Sequence, residues 1–164
     1  MKKFVCCALA AAMAMSMVAC GGASSSAPAA SAAGSSAAAT GDTVKVGVLG
    51  PLTGAVSVYG INVTNGAKMA AEDVNAKGGV LGKQVEVVLY DEKGDETEAV
   101  NAYNKMVDND KVVALIGDVT TTPTLAVAQA SQETGLPMIT ASASAQAVTE
   151  TGENVFRACF IDPY

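Results

Sequence analysis

Short apolar runs alternate along most of the chain with segments in which apolar residues recur at helical spacing. The runs are rich in β-branched residues and poor in polar positions, which is typical of strands that are buried in a sheet. Five such strands are predicted, over residues 44–49, 84–90, 112–116, 137–140 and 154–160.

Helices are predicted between these strands. Two of them have an apolar face, whose members are Val63, Ala67, Ala70, Ala71 and Val74 in the first helix and Ala99, Ala102, Tyr103, Met106 and Val107 in the second. The first ends at Gly78 and Gly79, and the second begins with a capping box from Asp95 to Glu98. A third helix, over 124–134, follows a hydroxyl residue and a proline and ends at Gly135, and a short helical turn is predicted over 145–149.

The alternation of strand and helix predicts an α/β domain. Successive strand-helix-strand units require crossover connections, so we expect a doubly wound parallel sheet covered by helices on both faces. Ligands of such sheets bind beyond the carboxyl ends of the strands. The loops at that edge are 50–60, 91–94, 117–123 and 141–145, and a binding site is predicted among them.

The first 41 residues have a different pattern. Residues 1–19 have two lysines directly after Met1 and continue as an apolar stretch that is too short for a permanent membrane span, which predicts a secretory signal peptide. The following Cys20 and the small residues before it resemble the lipobox of bacterial lipoproteins, in which this cysteine carries the lipid. Residues 20–41 are rich in Ala, Ser and Gly and predict a flexible tether, so the domain is expected over 42–164. An ordinary signal peptide with an incidental cysteine is the alternative.

Composition removes several classes of function. The chain has no histidine, so histidine-based acid-base catalysis and the commonest metal ligand are excluded. A net charge of −6 argues against nucleic-acid binding. Neither a phosphate-binding loop nor a Gly-x-Gly-x-x-Gly motif follows the first strand, so we expect no nucleotide or other cofactor, no metal and no catalytic residue. After processing, Cys159 is expected to be the remaining thiol and to act as a small buried hydrophobic residue.

Two of the loops carry candidate ligand-binding groups. Thr120, Thr121 and Thr122 stand at a predicted helix start, where backbone N–H groups and the helix dipole favour an anion such as a carboxylate. In the alternative interpretation, one threonine caps the helix and the others are solvated. Residues 141–144 form a second small, polar loop, whose short side chains would let a ligand approach the backbone.

An acidic cluster follows the second strand, with Asp91, Glu92, Asp95 and Glu96. These residues have the chemistry of a carboxylate pair or a metal site. Because adjacent side chains rarely face the same way, we expect instead a solvated loop that starts a helix.

Several segments together resemble a known family. They are Val46-Gly47-Val48-Leu49-Gly50-Pro51-Leu52-Thr53-Gly54, Asn75-Ala76-Lys77-Gly78-Gly79-Val80-Leu81-Gly82 and Gly135-Leu136-Pro137-Met138-Ile139-Thr140. The sequence over 43–164 is thereby similar to the leucine/isoleucine/valine-binding protein family, the type I periplasmic solute-binding proteins of ABC importers. The resemblance implies two α/β lobes that close on an amino acid. Family members are more than twice as long, so this chain is expected to be a fragment that holds lobe 1 and lacks the second lobe.

The resemblance also implies ligand contacts on Thr121, Ser142, Ala143 and Ser144, with Tyr59 lining the side-chain pocket. The α-carboxylate of the ligand would meet the Thr121 hydroxyl, and its ammonium group would meet the Ser142 carbonyl and the Ser144 hydroxyl. The family often has Ser at position 121 and Ala, Ala, Thr at 142–144. The choice between branched-chain amino acids and related small solutes is therefore left open.

The function expected from the sequence is binding without chemistry. The leading hypothesis is an exported, lipid-anchored receptor on the bacterial cell membrane that delivers an amino acid to the permease subunits of an ABC transporter. A ligand-sensing lipoprotein ectodomain is the alternative, because fold alone does not decide between the two. An exported α/β enzyme is the third hypothesis, and no nucleophile-base pair in the sequence supports it.

Overall fold

The five predicted strands form one sheet in a computed structural model, which describes residues 43–162. The elements, in chain order, are β1 (Val44–Gly50), α1 (Ser57–Ala76), β2 (Val85–Asp91), α2 (Glu96–Lys105), β3 (Ala114–Ile116), α3 (Thr121–Thr134), β4 (Met138–Thr140), α4 (Ala147–Glu150) and β5 (Val155–Arg157). A π-helical turn, Met106–Asp110, continues α2. The predicted signal peptide over 1–19, the lipidation site Cys20 and the tether over 20–41 lie outside the described residues.

The sheet is parallel throughout, with the strand order β2-β1-β3-β4-β5. This confirms the predicted α/β fold class with a parallel sheet. The chain leaves β1 toward β2 on one side and then continues through β3 on the other side. The connections therefore diverge between β1 and β3, and in α/β sheets such a divergence opens a crevice beyond the strand ends.

One face of the sheet is closed by α2, α3 and α4. The core here joins strand residues to helix residues that are at most 4% exposed, namely Leu49, Leu115, Met138, Val155, Tyr103, Met106, Val127 and Val148. Asp95 caps the start of α2 as predicted, because its Oδ1 accepts the N–H of Glu98 at 2.9 Å. The reciprocal bond of the predicted capping box does not form, since the N–H of Asp95 donates to the carbonyl of Glu92 at 2.9 Å. The predicted apolar face of α2 is confirmed, since its alanines, Tyr103 and Met106 are all buried.

The other face carries α1, so helices lie on both faces of the sheet as predicted, but the cover on this face does not reach all five strands. The helix α1 contacts β1 and β2, and its residue Ala67 is buried, whereas Val74 is 36% exposed. Ile139 on β4 pairs with Phe156 on β5, and these side chains are 40% and 53% exposed. Ile139 and Phe156 are exposed because the helices that contact β4 and β5 within residues 43–162 pack on the opposite face of the sheet.

The helix α3 begins three residues earlier than predicted, at Thr121 instead of at residue 124. Pro123 therefore stands in the first turn, where its missing N–H would have no intrahelical partner in any case. The predicted end is confirmed, because Gly135 has a positive φ of 66° and its N–H bonds to the carbonyl of Ser131.

Gly60 allows the start of α1 to pack against the loop that follows β1. A Cβ atom at this position would lie 2.0 Å from the carbonyl oxygen of Pro51. We expect Gly60→Ala to lower the free energy of unfolding by about 1–3 kcal/mol, because the backbone of Pro51 must move. Urea denaturation measures this effect.

The matched control is Gly66→Ala in the same helix, where an added Cβ meets nothing within 4 Å. This variant should gain up to about 1 kcal/mol from helix propensity. Equal midpoints for the two variants would contradict the close packing of Gly60 on Pro51.

Candidate functional site

A cleft opens beyond the carboxyl ends of β1 and β3, where the connections of the sheet diverge. Its volume is about 240 Å³, and it is lined by Tyr59, Val119, Thr120, Thr121 and Ser142. Three residues predicted to bind ligand, Tyr59, Thr121 and Ser142, are thus brought together from α1, α3 and the loop after β4. Tyr59 is 59% exposed, so the cleft is open to solvent on this side.

The N-terminus of α3 forms one wall of the cleft. Thr120 occupies the N-cap position, but its side chain makes no cap hydrogen bond. Its carbonyl accepts the first intrahelical bonds, from the N–H of Thr124 at 3.1 Å and from the Thr124 hydroxyl at 2.6 Å. The alternative interpretation expected a threonine side chain to cap the helix. The Thr120 side chain does not do so, and it leaves the first N–H groups of the helix without a side-chain acceptor from this residue. The positive end of the helix dipole can act on an anion in the cleft.

The loop after β4 is tied to the loop after β3. The hydroxyl of Ser142 donates to the carbonyl of Val119 at 2.6 Å. Ala143 is 1% exposed and belongs to the core. Ser144 is half-buried, and its carbonyl accepts the N–H of Asp162 at 2.9 Å. Ala143 and Ser144 do not line the cleft, so their role in ligand binding stays a prediction.

Asp91 fixes the loop that follows β1. Its Oδ1 accepts the N–H groups of Leu52 at 2.8 Å and Lys93 at 2.9 Å, and its Oδ2 accepts the Thr53 hydroxyl at 2.7 Å. Burial opposes ionisation, but these hydrogen bonds outweigh it and lower the pKa of Asp91. This carboxylate therefore joins the ends of β1 and β2.

The expectation of a solvated acidic loop is wrong for Glu92, whose exposed fraction is 0%. The expectation fits Glu96, which is exposed, and Asp95, which caps α2. The Glu92 side chain points inward because its Oε2 accepts the N–H of Gly94, two residues later in the same loop, at 2.5 Å. Burial raises the pKa of Glu92, and the charge of Asp91 adds to this effect.

A second buried acid, Asp118, was not among the residues predicted from the sequence. It follows β3, its exposed fraction is 0%, and its Oδ1 accepts the N–H of Val119. Burial, followed by the charge of Glu92, raises the pKa of Asp118 to about 8. The only local signal in the sequence was a polar residue directly after an apolar strand and Gly117.

Other features of the described residues add little to the site. Over 43–162, no three acidic or thiol side chains come together as a metal-binding group. Every helix in this range is too short or too polar to cross a lipid bilayer. Cys159 is a half-buried free thiol whose Sγ lies 3.5 Å from the carbonyl oxygen of Ala143.

Comparison with known proteins relates this geometry to proteins that bind small solutes. The sequence profile of the family described as periplasmic binding protein matches residues 43–162. The Leu/Ile/Val-binding protein BraC3 of Rhizobium johnstonii is 38% identical over 117 residues, which are 71% of this chain and 32% of that protein. A leucine-, isoleucine-, valine-, threonine- and alanine-binding protein of Pseudomonas aeruginosa is 40% identical over 122 residues, which are 74% of this chain and 32% of that protein.

A solved structure agrees with these sequence matches. The substrate-binding protein LivJ of the branched-chain amino acid transporter of Streptococcus pneumoniae, in complex with isoleucine, is 32% identical and has a TM-score of 0.71. The match covers 73% of this chain and 34% of that chain. The chain therefore spans about a third of the length of the relatives that it matches.

Proposed function

The chain belongs to the periplasmic binding protein family, and we propose that it binds an amino acid, branched-chain or related, as the solute receptor of an ABC importer. The names of the relatives give leucine, isoleucine and valine as their ligands, with threonine and alanine added for the Pseudomonas aeruginosa protein, and LivJ holds isoleucine. The observation that carries the proposal is the cleft at the divergence of β1 and β3, which has Thr121 and the start of α3 on its wall. Permease subunits in the membrane are the proposed receivers of the solute.

In the proposed binding mode, the α-carboxylate of the ligand meets the Thr121 hydroxyl and the first N–H groups of α3. A hydrogen bond to a charged group in this position is stronger than one between neutral groups. The ammonium group meets the Ser142 carbonyl and the Ser144 hydroxyl, and Tyr59 lies beside the ligand side chain. Because Ser142 lines the cleft and Ser144 does not, Ser142 is the principal ammonium contact of this lobe.

Ligand analogues test this mode on the chain itself. We expect millimolar leucine to shift the backbone amide signals of Thr121 and Thr122 in an NMR titration of the isotope-labelled protein. Leucinamide lacks the carboxylate, so it should leave those two signals in place. Equal shifts with leucine and leucinamide would exclude the start of α3 as the carboxylate site.

The proposal includes export and a lipid anchor on Cys20, which would hold the domain at the extracytoplasmic face of the membrane. We expect Cys20→Ser to move the protein from the membrane fraction to the soluble fraction and to remove the mass of the lipid. The matched control is Cys159→Ser, which changes the thiol within the domain and should leave the protein in the membrane fraction. Membrane retention and unchanged mass in Cys20→Ser would contradict the lipobox.

A further inference from the structure

The two buried carboxyl groups of Glu92 and Asp118 lie within hydrogen-bonding reach of each other, and each has one oxygen without a protein donor. These oxygens are Oε1 of Glu92 and Oδ2 of Asp118, on side chains with no exposed surface. The other oxygen of each carboxyl accepts a backbone N–H, from Gly94 and from Val119. Ionised carboxylates can only accept hydrogen bonds, so neither group can donate to the other. A single proton shared between the two oxygens would give each of them a hydrogen-bond partner.

The charges around the pair oppose ionisation of both groups. Asp91 lies next to Glu92 and acts on it with the same sign, and Asp95 and Glu96 at the start of α2 are also acidic. Lys93, the single basic residue in the described loops 91–95 and 117–120, is exposed.

The charges that act on the pair are those of other acids, namely Asp91 on Glu92 and Glu92 on Asp118. The strand β1 lies between β2 and β3 and continues as uncharged Gly50 and Pro51, and α3 starts with uncharged threonines. With no buried cation in these loops to compensate them, two ionised carboxylates would repel each other at low dielectric, whereas one shared proton removes the repulsion.

The backbone at Asp118 also carries the second loop of the cleft. The carbonyl of Asp118 accepts the buried Thr140 hydroxyl at 2.5 Å, and the oxygen of that hydroxyl accepts the N–H of Ala143 at 3.1 Å. The next carbonyl, that of Val119, accepts the Ser142 hydroxyl at 2.6 Å. A displacement of Asp118 would therefore move both loops, the one before Thr121 and the one that contains Ser142.

We propose that Glu92 and Asp118 share one proton, and that this proton positions the two loops of the cleft, so that the site is in its binding geometry only while the pair is singly protonated. Both residues are positioning residues, since neither lines the cleft. The consequence for ligand binding rests on the proposed function, whereas the shared proton and its effect on the loops do not.

The sign of the stability effect follows from proton linkage. The native pair holds its proton up to about pH 8, the pKa of Asp118, whereas an unfolded Asp is ionised above its ordinary pKa of 3.8. The stabilisation is therefore greatest at low pH and is lost as the pH rises toward 8. Between roughly pH 5 and pH 8, one extra bound proton in the native state makes the unfolding equilibrium constant rise about tenfold per pH unit. The lowered pKa of Asp91 acts in the opposite direction but only at a lower pH, so the two effects separate.

Urea denaturation of the full chain across this pH range tests the shared proton. The unfolding equilibrium constant of the parent should rise with pH across this range. In Asp118→Asn it should stay constant with pH, because the amide can donate to Glu92 but does not titrate. Glu92→Gln is the second variant, in case the first does not fold. Glu96→Gln removes an exposed acid of the same segment and should keep the slope of the parent. A flat profile in the parent would overturn the proposal.

Carboxyl and amide NMR of the ligand-free chain tests the positioning role. We expect the carboxyl signal of Asp118 and the amide signals of Thr121 and Ala143 to shift together near pH 8, and the amide shifts to be absent in Asp118→Asn. A merely structural pair would leave those amides unchanged at this pH. If every carboxyl titrates below pH 6, or the loop amides do not follow Asp118, the proposal is wrong.

Leucine titrations at pH 6.5 and pH 9 connect the pair to ligand binding. The ammonium group of leucine also titrates at high pH, so Asp118→Asn provides the reference for that loss. The parent should lose at least about threefold more affinity than the variant between the two pH values. Equal losses would overturn the effect on binding. If the amides follow Asp118 but leucine shifts no signal at either pH, the shared proton is supported and the proposed function fails.

Discussion

The 164-residue chain should bind leucine only weakly, with a dissociation constant in the low millimolar range, about 1 mM or a few times that value. It spans about a third of the length of its relatives, and its cleft is open, with Tyr59 59% exposed. Binding sites for small solutes usually bury most of the ligand surface. Contact from one side leaves the ligand side chain in water and the ammonium group partly unpaired. About 4 kcal/mol separates millimolar from micromolar binding, which is the size of the loss that we expect.

Calorimetric titration of the chain with leucine measures this affinity. The control is a hybrid in which residues 43–162 replace the matching segment of the Rhizobium relative, so that the rest of a full-length binding protein completes the cleft. The hybrid should bind leucine in the micromolar range, and the chain should give little heat at the same concentrations. Micromolar binding by the chain alone would refute the argument that its cleft is incomplete.

Local sequence signals were sufficient for most of the secondary structure. The strand β1 and the helix α2 follow from apolar periodicity and from a capping residue, Asp95, which are properties of neighbouring residues. Tertiary contacts determined the remaining boundaries. The strand β3 starts at Ala114 instead of at residue 112, although Val112 is buried, because only part of the apolar run pairs with β1.

The candidate site depends more strongly on strand order. Tyr59 and Thr121 follow β1 and β3, and they share a cleft because these strands are neighbours and their connections diverge. The resemblance to the family supplied this pairing, which periodicity alone does not contain. The meeting of Glu92 and Asp118 was missed because they follow β2 and β3, strands separated by β1 in the sheet.

Local sequence signals also did not predict which single residues of a loop are buried. Ala143 and Ser144 are adjacent small residues in a polar loop, yet the first is 1% exposed and the second is half-buried. The Thr140 hydroxyl accepts the N–H of Ala143, and this bond holds Ala143 against the core. This bond depends on the packing of β4 beside β3 and is not encoded in the loop itself.

In the hybrid with the completed cleft, Thr121→Ala should weaken leucine binding by about 10- to 150-fold. Thr121 stands at the first helical position and lines the cleft, and in the proposed mode its hydroxyl donates to the ligand carboxylate. A hydrogen bond to a charged group contributes about 1.5–3 kcal/mol, which corresponds to that range of affinity. Stability should change little, because the helix keeps its first backbone bonds through Thr120 and Thr124.

The neighbours of Thr121 provide matched controls, since they differ in position but not in chemistry. Thr122 is exposed and does not line the cleft, so Thr122→Ala should change the affinity less than about twofold. Thr120 lines the cleft at the N-cap position without a side-chain cap bond, so Thr120→Ala should affect binding less than Thr121→Ala does. Calorimetric titration of the three variants with leucine ranks the hydroxyls. If Thr121→Ala binds as tightly as the parent hybrid, the carboxylate does not bind at the start of α3, and the assignment of Thr121 is wrong.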